Sequence, residues 1–154
     1  MERFKRPESV LVVVHTRDDE VLLLRRADVP DFLQSVTGSL RPGESPIEAA
    51  RRELVEETGL DPADIVDCHR RRHFPIHPAW RARYAPEVRY NAEHEFRLPL
   101  RGRQPVRLDP REHREAEWVP RSEAARRATS WTNRAAIRAL PTEAVRTAVV
   151  LVHG

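Results

Sequence analysis

The chain has 154 residues, 40% hydrophobic and 33% charged, with a formal net charge of +3. That length suits one domain spanning residues 1–154, and the balance excludes disordered, collagen-like and disulfide-scaffold proteins. A single cysteine, Cys68, an opening MERFKRPES without an apolar core, and no apolar run near the roughly 18 residues that cross a bilayer together predict a cytoplasmic protein with no membrane partner.

Two β-branched or leucine-rich runs, Ser9–Thr16 and Val21–Arg25, flank a turn at Arg17–Glu20 and predict a hairpin of buried strands. A loop at Ala27–Phe32 leads to a short strand, Gln34–Thr37, ending at Gly38. The stretch Ser39–Glu44 is a turn-bearing loop. A helix then opens with Ser45 as N-cap, Pro46 at its first position and Glu48 completing a capping box, and Gly59 stops it. Ile47, Ala50 and Leu54 form its buried stripe.

Further on, Ile65–Arg72, Glu93–Leu100 and Glu117–Val119 are predicted strands, and Phe74–Asn91 is a proline-rich segment with Trp80, Tyr84 and Tyr90. Arg121–Thr129 and Asn133–Leu140 are predicted helices. The tail Ala144–Val152 suits a strand or a helix equally. The sum is one mixed α/β domain, an α+β mixed sheet flanked by helices.

Opposite the buried stripe of the first helix lie Glu53, Glu56 and Glu57, which share an arc of about 100° at helical spacing. Oxygen ligands on one face suit a hard divalent cation. Equally, Arg51 and Arg52 could neutralise an ordinary solvated glutamate face.

The flanks separate these readings. From Gly38 the chain runs Gly38-x5-Glu44-x7-Arg52-Glu53-Leu54-x-Glu56-Glu57-x-Gly59-Leu60. This resembles, without gap or substitution over residues 38–60, the signature of the Nudix hydrolases. The resemblance implies an α/β/α sandwich and a pyrophosphohydrolase using Mg2+, with Mn2+ able to substitute. It implies metal binding by Glu53 and Glu57, with Glu56 on a metal or a metal-bound water. A later acid is often recruited as well, for which Glu112 is the first candidate and Glu115 the second. Glu56 or Glu112 would orient or deprotonate the attacking water. Arg52, four residues from both Glu48 and Glu56, would hold the carboxylates in orientation.

Outside the signature, three stretches resemble the Nudix branch that acts on dihydroneopterin triphosphate in folate synthesis. These are Pro30-Asp31-Phe32-x-Gln34-Ser35-Val36-Thr37-Gly38, Arg83-Tyr84-Ala85-Pro86 with Asn91 and Glu93, and Ser130-Trp131-x-Asn133-Arg134-x-Ala136-Ile137. By that resemblance Lys5 and Arg26 meet the phosphates or polar edge, Thr37 and Ser130 give hydroxyl contacts, and Phe74–His77 line the pocket. Trp131 is expected in the core or pocket wall. Leu33 where that branch has Trp, and Glu87 where it has Gly, are departures, and Pro75 and His77 alter the pocket strand. The alternative is a nucleotide-sanitising or dATP-type enzyme, differing in its base pocket. A non-catalytic binding module would have lost the carboxylates, and all are present. The expected partner is a small-molecule triphosphate, with the chain a monomer or homodimer. No nucleic acid is expected, because the 27 basic residues are interleaved with 24 acids.

Overall fold

The computed structural model describes residues 4–142, and in it the two apolar runs pair as expected. Strand β1 (Glu8–Thr16) and β2 (Glu20–Arg26) are antiparallel about a turn where Asp19 has a φ of 63°. Side chains along both strands alternate between two cores. Val10, Val12, Val14, Leu22 and Leu24 point to one, and Leu11, Val13, Val21 and Leu23 to the other. Strands apolar on both faces require a helical layer on each side.

Those layers are present. Helix α1 (Pro46–Thr58) covers the first core with Ala49, Ala50 and Leu54. Helices α2 (Arg121–Arg127) and α3 (Trp131–Arg138) cover the second with Ala124, Ala125, Ala136 and Ile137. Between them lies one seven-stranded mixed sheet. Its other strands are β3 (Leu33–Gln34), β4 (Val36–Ser39), β5 (Val66–Pro75), β6 (Tyr90–Leu100) and β7 (His113–Pro120). The order is β3-β2-β1-β6-β5, with β4 also on β1 and β7 also on β2; β1 and β6 are parallel.

Helix α1 has the ends that its sequence dictates. Ser45 Oγ accepts from Glu48 N–H at 3.3 Å, and the Glu48 carboxylate accepts from Ser45 N–H at 2.9 Å. Gly59 takes the left-handed conformation at φ 74° and donates to Val55 O. Ile47 is only partly buried, and Ala49 supplements the expected stripe.

Four expectations are corrected. The predicted strand Gln34–Thr37 divides at Ser35, whose N–H donates to Asn133 Oδ1 at 2.7 Å while Asn133 Nδ2 donates back to Ser35 Oγ. With its backbone donor taken by α3, the chain passes from pairing with β2 to pairing with β1. Strand β5 runs three residues past Arg72, and a bulge between Asp67 and Arg70 absorbs the irregular start. Strand β7 starts four residues before Glu117, because β2 offers its whole edge, from Arg26 back to Glu20. Trp131 is 51% exposed rather than core, since α3 turns Thr132, Asn133, Ala136 and Ile137 inward instead. The tail Ala144–Val152 lies outside the described residues. No helix among the described residues is long and apolar enough to cross a membrane.

Candidate active site

A cavity of about 380 Å³ opens where α1, β4, β6 and the start of β7 converge. Glu53, Glu57, Glu112, Lys5, Arg26, Thr37 and Phe74 all line it, so seven residues scattered over more than 100 positions are brought together. The capping box and the glycine stop fix the register of α1, and that register aims Glu53 and Glu57 at β4.

The approach of helix to strand is very close. A Cβ placed on Gly38 would fall 2.2 to 2.6 Å from the carboxylate atoms of Glu53. Only glycine lets that carboxylate lie against the β4 backbone. Gly38→Ala is therefore expected to displace Glu53 and to lower kcat/KM on the order of 100-fold, with the melting temperature nearly unchanged. Parallel steady-state kinetics and thermal melts check this; wild-type kcat/KM in the variant would show that the close contact has no bearing on catalysis.

Glu57 is 1% exposed, accepts from Thr37 N–H, and has its Oε1 buried without a hydrogen-bond partner. Burial pushes its pKa well up, and the Glu53 carboxylate in hydrogen-bond contact, with Glu112 beyond, pushes it further. Glu112 is likewise raised, by burial first and then by Glu53. Three acids massed in a partly dry cavity demand protons or a cation. The orphaned oxygen, the glycine cradle and the all-oxygen donor set fit a hard divalent ion. Among the described residues no three His, Cys, Asp or Glu side chains stand close enough together to hold a metal ion as they are placed. Glu53 is turned instead to Arg52, at 2.7 Å.

Arg52 organises the acidic rim. It donates to both Glu44 oxygens at 2.7 and 2.8 Å, to Glu53, to Glu56 at 3.3 Å and to Ser39 O at 3.1 Å. The fork pulls the Glu44 pKa down to about 2. The expected pairing with Glu48 does not form, because Glu48 is committed to the cap. Glu56 is not among the cavity-lining residues; it pairs with Arg41 and Arg52, and its side chain is about half exposed. Glu115 faces away, 70% exposed beside Arg25.

Glu112 is placed by a turn in which both its N–H and that of His113 donate to Asp109 O, and by Ala27 N–H donating to Glu112 O. The shift in register between Arg25 and Arg26, where β2 meets β7, sets Arg26 opposite His113 at the cavity. Burial, then Arg26, lowers the His113 pKa to about 4, so the ring is neutral; its Nε2 lies 3.1 Å from Gln34 Nε2 and accepts from it.

Part of the cavity wall is aromatic. The Arg26 guanidinium lies 4.8 Å from the Trp80 ring centroid and 5.6 Å from that of Phe32, with two hydrogen bonds to Asp28 at 2.7 and 2.6 Å. Phe74, Ile76, Trp80 and Tyr84 face the same space. Lys5, whose pKa is lowered by burial and by Arg83, stands at the margin, its N–H on Arg83 O. Thr37 Oγ1 donates to Val10 O, which leaves its lone pairs for a ligand.

Ser130 does not reach the cavity. It is the N-cap of α3, accepting from Asn133 N–H at 3.2 Å, since the first turn of a helix has N–H groups that need a partner. Leu33 belongs to the second core and Pro75 is not among the lining residues, so neither departure touches the slot. The sequence reading assigned no role to Gln34, Trp80, Arg83, Asn91, Glu93 or His113. Asn91, Glu93 and Glu95 do alternate at strand period, yet alternation cannot say which face is buried.

A metal-fitting carboxylate helix against a glycine strand, beside an aromatic slot in an α/β/α sandwich, defines a phosphoanhydride hydrolase of the Nudix kind. Residues 5–140 match the NUDIX domain model, and the chain belongs to that family. It is a Nudix pyrophosphohydrolase, an enzyme class that needs divalent metal ions. The dihydroneopterin triphosphate diphosphatase of Escherichia coli K12 is 42% identical over 139 residues, covering 87% of this chain and 91% of that protein. The Haemophilus influenzae protein of the same name is 38% identical over 143 residues, covering 90% and 89%. The solved structure of the E. coli dihydroneopterin triphosphate pyrophosphohydrolase superposes with a TM-score of 0.83 at 41% identity, covering 89% of this chain and 96% of that one.

Proposed function

We propose that this single-domain, cytoplasmic protein hydrolyses 7,8-dihydroneopterin 3'-triphosphate to the monophosphate and pyrophosphate, using Mg2+. The observation that carries the reading is one cavity lined both by the carboxylates Glu53, Glu57 and Glu112 and by the aromatic side chains Phe74, Trp80 and Tyr84. Relatives that bear that substrate in their names, at 38–42% identity over most of the chain, support it.

Glu53, Glu57 and Glu112 would hold the ion. When bound, a divalent cation would supply charge neutralisation for the polyphosphate and a more acidic water for attack on a bridging phosphoanhydride. Arg52, anchored by its fork on Glu44, fixes the position of Glu53 by its own hydrogen bond, and Glu56 steadies Arg52 from the rim. Glu112, raised by burial among acids, orients the water and accepts its proton. Lys5 and Arg26 meet the phosphates, and Arg26 exchanges part of its contact with Asp28 to do so. Thr37 gives a hydroxyl contact, and Phe74 packs on the ring with Trp80.

The test is pyrophosphate release with Mg2+ from dihydroneopterin triphosphate, dATP, dGTP and 8-oxo-dGTP, each expressed as kcat/KM. The pterin is expected to lead by tenfold or more, about 1.4 kcal/mol of transition-state discrimination, and chelation of the metal to abolish turnover. A nucleotide in first place would assign the slot to a purine and overturn the pterin reading.

A further inference from the structure

Among the described residues four lysine and arginine side chains line the cavity, Lys5, Arg26, Arg83 and Arg111, and they differ in what already holds them. The Arg26 fork is closed on Asp28, and Arg111 is closed on Asp109 by two hydrogen bonds at 3.2 and 3.1 Å. Neither the Lys5 ammonium nor the Arg83 guanidinium has a hydrogen bond or an ion pair with any described residue.

Arg83 is placed by its own short segment. Residues Pro78–Arg83 form a 3-10 helix with proline at its first position and His77 Nδ1 accepting from Ala79 N–H at 3.0 Å. In such a helix residues three apart lie one above the other, so Arg83 stands on the side of Trp80. Trp80 faces the Arg26 guanidinium at 4.8 Å and the Phe32 ring at 6.0 Å between centroids, so that side turns to the cavity. Where the helix ends, Arg83 O accepts from Lys5 N–H at 2.9 Å, and this bond brings the two residues together. Burial first, and then the Arg83 charge, lowers the Lys5 pKa, while Glu53 and Glu112 act on Lys5 in the opposite sense. Lys5 is thus within reach of the acids on one side and of Arg83 on the other. Like charges held this close oppose one another, and an anion between them relieves the repulsion.

We propose that Arg83, paired with Lys5, grips the pyrophosphate half of the substrate, the two phosphoryl groups that are released together. The proposal rests on the reading of Lys5 as a phosphate contact. The terminal phosphate carries the most charge of any part of a triphosphate, and the planar guanidinium fork matches two of its oxygens where an ammonium acts as a point charge. Arg26 can offer its full fork only by giving up Asp28, and Arg111 only by giving up Asp109. Arg83 has its whole fork to offer, and it is exposed, where a hydrated product can leave.

Product inhibition tests this, with Mg2+ in excess of added pyrophosphate, on whichever triphosphate the enzyme turns over fastest, and with turnover followed as substrate consumed. In Arg83→Gln the inhibition constant of pyrophosphate is expected to rise about tenfold, and that of the monophosphate product to stay within about twofold. A rise of less than about threefold for pyrophosphate overturns the proposal, and so does a monophosphate constant that rises as much as that of pyrophosphate. Arg81→Gln alters the same helix at a residue that does not line the cavity, and it is expected to leave both constants within about twofold. A rise there equal to that in Arg83→Gln would assign the effect to surface charge and overturn the proposal. The Arg83 side chain is exposed and bonds to no described residue, so the variant is expected to melt with the wild type. A nucleotide turned over faster than the pterin would defeat the proposed substrate while leaving this inference standing.

Discussion

Glu57→Gln is expected to lower kcat on the order of a thousandfold, about 4 kcal/mol of barrier, while the protein stays folded. The side chain is buried among acids, with one oxygen that has no hydrogen-bond partner, so its charge is useful to an ion and costly to the fold. The amide keeps the shape, removes the charge, and blunts ion binding. Its stability in the absence of metal is expected to equal or exceed wild type, because a carboxyl whose pKa is raised on folding weakens the fold as pH rises through and beyond its unfolded value. Kinetics, calorimetric Mg2+ titration and urea melts at pH 8 check the three parts. Near-normal turnover in a folded variant would defeat the ligand assignment.

Arg52→Met is expected to cost about 3 kcal/mol of stability and most of the activity. The guanidinium is the shared partner of Glu44, Glu53 and Glu56, and the Glu44 and Glu53 side chains are only 13% and 12% exposed. Removing it strands nearly buried like charges and releases Ser39 O, while methionine fills the volume. Acid should narrow the gap between variant and wild type. The Glu44 pKa is depressed to about 2 in the native protein, so its contribution is present above the usual carboxylate range and disappears as pH falls through about 2. Urea melts at pH 7 and pH 3 measure both effects. A loss under about 1 kcal/mol at pH 7 would mean that solvent or Arg41 replaces the fork.

Much of this protein was legible because its signals are local. The capping box at Ser45, the stop at Gly59 and the i, i+3, i+4 glutamates are decided within one helix. The apolar runs that became β1 and β2 carry their own burial on both faces, which is why a helical layer on each side could be expected. Glu112 was harder, since no periodicity marks it. It lay in a stretch rich in acids and only the pairing of β7 with β2 separates it from Glu115.

What failed did so through competition for the same groups across the fold. Ser130 has a hydroxyl suited to a ligand or to a helix cap, and the unpaired N–H groups of α3 took it. Arg52 had several acids within reach by spacing, and Glu48 went to the cap while Glu44, distant in register, came into the fork. The strand Gln34–Thr37 broke because Asn133, nearly 100 residues later, claimed the Ser35 N–H.

The sequence by itself determined the first helix and the face that Glu53, Glu56 and Glu57 share, because spacing along a helix is a property of the chain, and the class of reaction was implied by its resemblance to the Nudix signature. Only the tertiary structure decided what lines the rest of the cavity. Trp80, Asn91 and Glu93 become one surface when β6 pairs with β1 and β5, and a period of two places a residue on a face without saying whether that face meets solvent, core or ligand.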